Sequence, residues 1–251
     1  MTPAGGPTVV TVHRDGGGRD VARDLSPGTF LAPRPLTPSA DGLHLALVGT
    51  TAGLLAGDDL RIRISVGPGA RLHLREPAGL VAYDHRGGSS SWNAVVEIAE
   101  GGELTWDSKP FVVSTGADVT RDMDVTLAPG ARMLWRDTLV LGRSGERGGR
   151  IRARTRAVHD GRELLVEDLD LTDPDLRELP GILGPHRVIG AVTALGADPG
   201  GPPHPSRMDL AGPGAQVRLL ATGAPAVERE LTAVWRSWRE PGVHGGGPAA
   251  P

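Results

Sequence analysis

Between Leu60 and Val66 the chain alternates without a break: Leu60, Ile62, Ile64 and Val66 on one parity, Arg61, Arg63 and Ser65 on the other. That period of two marks a half-buried strand. Met133, Trp135, Leu139 and Leu141 share a parity, and Ile151, Ala153, Thr155 and Ala157 alternate with Arg150, Arg152, Arg154 and Arg156. The last run meets Asp160-Gly161, which predicts a two-residue hairpin returning through Leu164-Leu165-Val166. Between the alternating stretches one phrase recurs: Val66-Gly67-Pro68-Gly69-Ala70, Leu127-Ala128-Pro129-Gly130-Ala131, and looser copies at 98–106 and 210–217. Each copy predicts a strand, a tight turn with Gly at positive φ, and a returning strand. The pattern predicts an all-β, helix-poor fold of stacked antiparallel, β-helix-like sheet layers.

Only one segment carries a helical period. Val227, Leu231, Val234, Trp235 and Trp238 form a single stripe near the C-terminus. Pro225 suits a first helical position, Glu228 and Glu230 suit the positive end of the dipole, and Arg236 and Arg239 suit its last turn. The stripe has two readings. It packs on the chain's own sheet, or it offers Leu231, Val234, Trp235 and Trp238 to a partner protein, since Trp is enriched at binding hot spots.

Composition narrows the class. With 251 residues, 39% hydrophobic but only 3% aromatic, the core is aliphatic, with five Trp as its large pieces. Gly and Pro punctuate apolar stretches, which means turns. We expect one domain over 8–240, with Gly/Pro-rich disordered tails at 1–7 and 241–251. The segment 198–206 reads as a surface loop. Cysteine is absent, removing thiol chemistry and Cys-based metal sites. No apolar run approaches the roughly 18 residues of a spanning helix, and Met1–Gly6 lacks a signal-peptide pattern. A cytoplasmic chain is expected. A net charge of −3 offers no field for nucleic acid or membrane.

Catalytic motifs are missing: no nucleophile elbow, phosphate loop, dinucleotide fingerprint or His-Glu-x-x-His occurs. Strand parity, however, turns three carboxylates towards apolar faces. Asp58 is in phase with Leu60–Val66, and Asp137 with Trp135 and Leu139. Counting back from a hairpin at 160–161 places Asp168 opposite Ala153, with Arg154 facing Glu167 outside. A buried carboxylate needs compensation. Either turn N–H groups or arginines satisfy each one, or the three line a wet interior for a cation. The arginine ladder 150–156 reads as a solvated face.

Several phrases together resemble the urease accessory proteins called UreD or UreH. Ala52-Gly53-Leu54-Leu55-Ala56-Gly57-Asp58 is similar to the family's glycine- and leucine-rich motif ending in Asp. Leu104-Thr105-Trp106 through Phe111, and Met133 through Asp137 with Leu141-Gly142-Arg143 and Gly145-Glu146, resemble two further family phrases. Gly53, Gly57, Tyr83, Gly142, Arg143 and Glu146 stand at motif positions. The order agrees from about Leu43 to Arg239. Residues 75–82 depart from the family, keeping Tyr83 but losing Thr, Gln and Lys, so the polar wall of that stretch is in question.

The resemblance implies a stacked-β scaffold without catalysis. It would bind apo-urease and a UreF-like protein, and through the latter a UreG-like GTPase that supplies nickel. It also implies an interior passage for transient Ni²⁺, to which Asp58, Asp137 and Asp168 are the matching candidates; no tightly held cofactor is implied. Oxygen ligands suit transit, since imidazole and thiolate hold nickel more firmly. Two other classes compete: a carbohydrate-active enzyme with paired carboxylates, and a purely structural β-repeat. Sparse aromatics argue against the first, and inward aspartates against the second.

Overall fold

The computed structural model describes residues 6–37 and 39–239. Apart from Gly6 and Pro7, which lead irregularly into the first strand, the expected tails at 1–7 and 241–251 lie outside the described residues. Two sheets face one another. The first contains β1 (Thr8–Arg14), β2 (Asp20–Ser26), β5 (Asp59–Val66), β8 (Ser90–Ile98), β11 (Asp118–Leu127), β13 (Arg150–His159) and β14 (Arg162–Asp170). Its order is β14-β13-β11-β8-β5-β1-β2. The second contains β3 (Leu31–Pro35), β4 (Leu43–Gly49), β6 (Arg71–Arg75), β9 (Glu103–Asp107), β12 (Arg132–Leu141), β15 (Val188–Leu195), β16 (Arg207–Asp209) and β17 (Gly214–Ala221). Its order is β16-β17-β15-β12-β9-β6-β4-β3, and β10 (Phe111–Val113) joins β12 to the short β7 (Leu80–Ala82).

Stacked layers are present, but the centre of each sheet is parallel. β1, β5, β8, β11 and β13 run the same way in the first sheet, as do β4, β6, β9 and β12 in the second. Antiparallel partners lie at the flanks: β2, β14, β3, β15, β16 and β17. The recurring Gly phrases therefore make corners rather than hairpins in their first three copies. Each carries the chain from a strand of the first sheet to a strand of the second. Gly69, Gly101 and Gly130 adopt φ of 60°, 63° and 70° at these corners. The corners stack: the Gly69 N–H donates to Glu100 O at 2.9 Å, and the Gly101 N–H to Pro129 O at 3.2 Å. Only the fourth copy, between β16 and β17, is a hairpin. A corner and a hairpin need the same glycine and the same flanking alternation, so only non-local pairing separates them.

The main core lies between the sheets and takes in Leu60, Ile62, Ile64, Leu72, Leu74, Leu104 and Trp106. A second core covers the outer face of the second sheet. There α2 (Ala224–Arg239), which follows the single turn α1 (Pro174–Arg177) along the chain, sets Val227, Leu231, Val234, Trp235 and Trp238 against Leu134, Val188, Val192, Val217 and Leu219. Helix and strand touch closely, for a Cβ added at Gly190 would lie 2.2 Å from Val227 Cγ1. This corrects the partner-binding reading of Leu231, Val234, Trp235 and Trp238, all buried at 9% exposure or less. Burying a large apolar side chain contributes about 1.5–3 kcal/mol, and the chain's own sheet already takes it.

Candidate functional site: an ion pair between the sheets

Strand β11 points Val119, Arg121, Met123, Val125 and Leu127 into the core, so one arginine stands on an otherwise apolar face. Opposite it, β12 presents Met133, Trp135, Asp137, Leu139 and Leu141. The two charged residues meet across the gap. Arg121 Nη1 donates to Asp137 Oδ2 at 2.6 Å and Nη2 to Oδ1 at 2.9 Å, a bidentate pair. The guanidinium lies 4.5 Å from the Trp92 ring centre and 5.8 Å from those of Phe111 and Trp135. Cation–π attraction therefore adds to the pairing. Arg121 Nε is buried and has no hydrogen-bond partner.

Glu76 follows Leu72 and Leu74 in phase and ends just beyond β6, half-buried. Its Oε1 accepts the Trp106 Nε1–H at 2.9 Å. Burial pushes its carboxyl up to about 7; the Trp106 bond opposes this, Asp137 adds to it and Arg121 opposes it. Glu76, Ser108, Lys109, Arg121 and Asp137 all line one cavity of about 310 Å³. A smaller cavity of about 40 Å³ shares Arg121 and Asp137 and is lined further on by Thr155, Glu167, Gln216 and Arg218. Glu167 is ion-paired with Arg218. Three carboxylates thus stand along the inter-sheet space, each held by a donor: Glu76 by Trp106, Asp137 by Arg121 and Glu167 by Arg218.

Of the three aspartates singled out by parity, Asp137 faces inward as expected. Asp58 does not belong to β5; it closes the turn ahead of it, its Oδ2 accepting the Leu55 N–H at 2.7 Å. Asp168 points outward. A bulge between Ala157 and Val158 shifts the β13–β14 register by one residue, so Asp168 faces Arg154 and Glu167 faces Thr155. Asp168 is bound by Arg152 at 2.7 and 3.1 Å, and Glu167 takes the inward place. Neither Asp58 nor Asp168 lines the two inter-sheet cavities. The arginine ladder is a solvated face, as its sequence suggested, but Asp168 and Glu163 answer it in place of Glu167.

The motif residues shape the surrounding loops. Gly53 packs where a Cβ would come within 2.2 Å of Val81 O and 2.8 Å of Tyr83 Cε2. The Tyr83 N–H donates to Leu54 O at 3.0 Å, and the Gly57 N–H to Ser89 O at 2.8 Å. Beyond Gly142, Glu146 accepts the Arg143 N–H at 2.9 Å and its Nε–H at 2.8 Å, closing the loop after β12.

Parity missed Glu76, Arg121 and Glu167. The first two were in phase with Leu72 and Leu74 and with Val119 and Met123, a signal open to inspection. Glu167 depends on the bulge, which no local pattern announces. The departing segment 75–82 still supplies a polar wall, through Glu76.

The fold is a two-sheet β-solenoid with corner glycines, a helix laid on one outer face and paired charges inside. A family model described as UreD urease accessory protein matches residues 5–251, and the chain belongs to that family. It is 73% identical over 238 residues to urease accessory protein UreD 1 of Streptomyces griseus, covering 95% of this chain and 93% of the relative. It is 40% identical to urease accessory protein UreD of Frankia alni, covering 75% and 72%. It is also 36% identical to urease accessory protein UreD 1 of Saccharopolyspora erythraea, covering 85% and 88%. The chain acts in urease maturation, with urease and other accessory proteins, as an accessory protein and not an enzyme. Carbohydrate chemistry at its carboxylates is thereby set aside. Among the described residues no helix is long and apolar enough to cross a membrane.

Proposed function

We propose that this chain is a cytoplasmic scaffold that holds apo-urease and a UreF-like protein, with a UreG-like GTPase reached through the latter, and passes Ni²⁺ towards urease through its interior. The observation that supports this reading is the Arg121–Asp137 pair standing in the wall common to two cavities. A buried ion pair is a poor stabiliser, since apolar replacement of both partners is often neutral or better. Its presence beside open space fits a working role. Nickel is the cargo here: Glu76, Asp137 and Glu167 offer oxygen ligands, and their donors compete with the ion and keep its stay short. Asp137 is the central ligand of the route. Asp58 and Asp168 serve the surface instead.

The test is a urease-positive strain lacking this gene and complemented with the double variant Arg121→Met/Asp137→Leu, which leaves no charge unpaired. The expected result is normal urease protein and normal capture of a UreF-like partner, with nickel-poor, inactive urease. Full nickel content in that strain overturns the interior route. Full nickel content in the uncomplemented deletion strain overturns the maturation role itself.

A further inference from the structure

On the outer face of the second sheet, away from the inter-sheet cavities, two histidines and an aspartate converge. His44 on β4 and His73 on β6 are register partners, and Thr105 on β9 stands abreast of His73. The imidazole ring centres are 4.5 Å apart. Both rings turn their Nε2 atoms to Asp41, in the turn between β3 and β4. His44 Nε2 lies 2.8 Å from Asp41 Oδ1, and His73 Nε2 lies 3.7 Å from Oδ2 and 3.1 Å from the Asp41 carbonyl. One donor atom from each of the three residues falls within 4.8 Å of the others.

Supporting contacts fix this arrangement. Thr105 Oγ1 sits 2.8 Å from His73 Nδ1, which orients the ring and leaves Nε2 towards the aspartate. Such a partner on the far nitrogen is the usual support of a metal-binding imidazole. Arg71 Nη2 donates to Ala40 O at 2.9 Å and pins the turn. The turn lies so close to β6 that a Cβ at Gly42 would meet Arg71 O at 2.9 Å and His73 Cδ2 at 3.1 Å. The Asp41 side chain is half exposed, leaving room for water to complete a coordination shell. Arg239 approaches Asp41 Oδ2 only to 4.0 Å.

We propose that Asp41, His44 and His73 bind one divalent first-row transition-metal ion, Zn²⁺ or Ni²⁺, on the outer face of the second sheet. Two imidazole nitrogens and a carboxylate select such ions over Mg²⁺ or Ca²⁺, which prefer oxygen ligands alone. His44 Nε2 and Asp41 Oδ1 already stand within the span of one ion's ligands, and metal–ligand distances of about 2.0–2.2 Å require only the wider separations of the cluster, which lie within 4.8 Å, to close. The exposed aspartate turn supplies that movement. The proposal stands whether or not nickel travels between the sheets, because it shares no residue with that route.

The experiment uses the full chain, stripped with chelator and titrated with Zn²⁺ alone and Ni²⁺ alone by calorimetry and equilibrium dialysis. The wild type should bind the ion at this site. The double variant His44→Gln/His73→Gln, with an unchanged far-ultraviolet circular dichroism spectrum, should lose one equivalent. Thr105→Val should weaken that equivalent by about 10-fold. Cu²⁺ added to the wild type should show nitrogen hyperfine splitting in its paramagnetic resonance spectrum, and the double variant should lack it. Unchanged stoichiometry and affinity in the double variant overturn the site, as does wild-type binding weaker than about 1 mM.

Discussion

Arg136 and Asp137 are neighbours on β12, and each completes a buried ion pair, yet the surroundings of the two pairs differ. Arg136 points to the outer face, where its Nη2 donates to Glu228 Oε2 at 2.7 Å and to the Glu228 carbonyl at 3.1 Å. Thr138 Oγ1 donates to the other Glu228 oxygen at 2.6 Å, so both oxygens of that carboxylate are engaged. Neither inter-sheet cavity touches Arg136. Asp137, one residue on, faces inward to Arg121 and lines both cavities. The outer pair clamps a helix to a sheet, whereas the inner pair stands beside open space. Burial and pairing are alike in the two; the space around them is not.

The sharpest way to break this contrast is Asp137→Ala, which leaves Arg121 as an unpaired cation beneath three aromatic rings. It should cost about 3–5 kcal/mol in urea denaturation, while Arg121→Met/Asp137→Leu stays near wild type. Equal losses in both variants would refute the inner pair as described. Next in size is Glu228→Ala, which strips Arg136 and Thr138 of the carboxylate they share and leaves Arg136 the backbone carbonyl of that position, at 3.1 Å, and Asp107, at 3.7 Å. We expect a loss of about 2–3 kcal/mol, with urease activation per folded molecule unchanged. Impaired activation would extend to the outer pair the role proposed for the inner one.

A smaller effect isolates Glu76 and depends on pH. Its carboxyl is raised in the folded chain to about 7 from an ordinary 4.5. The folded state therefore holds that proton more tightly, and this contribution is complete below pH 4.5 and lost as pH rises through 7. Glu76→Gln should stabilise the chain by on the order of 2 kcal/mol at pH 8 and change little at pH 4, read from melting temperatures. A pH-independent difference would show that the carboxyl is not held in this way. The smallest effect belongs to Asp168→Ala. Its exposed pairs with Arg152 and Arg154 are of the kind that contributes little, so melting temperature and urease activation should both match wild type.

Alternation along β5, β12 and β13 made the sheet layers legible, and the 3.6-residue stripe from Val227 to Trp238 made α2 legible. What the stripe could not reveal was its cover. Trp235 and Trp238 look the same in sequence whether they meet Val217 and Val192 or a partner protein. Glu228 was assigned to the helix dipole, but packing draws it to Arg136 on β12. Asp137 was readable because nothing interrupts β12. Asp168 was misplaced because one extra residue near Ala157 exchanges the faces of a whole strand. The corners around Gly69, Gly101 and Gly130 were legible as turns but not as crossings, since their stacking partners lie far along the chain.

Those stacked corners also govern how the chain reaches its fold. From β5 to β13 in one sheet and from β4 to β12 in the other, each strand finds its parallel neighbour about 30 residues further on, so a sizeable loop closes before any ladder bond forms. Until the next turn is synthesised, the newest strand leaves a bare edge with an apolar face. Folding should therefore advance turn by turn from whichever rung forms first, as in other quasi-one-dimensional repeats. The growing chain stays prone to aggregation until its flanking antiparallel strands and α2 close the ends.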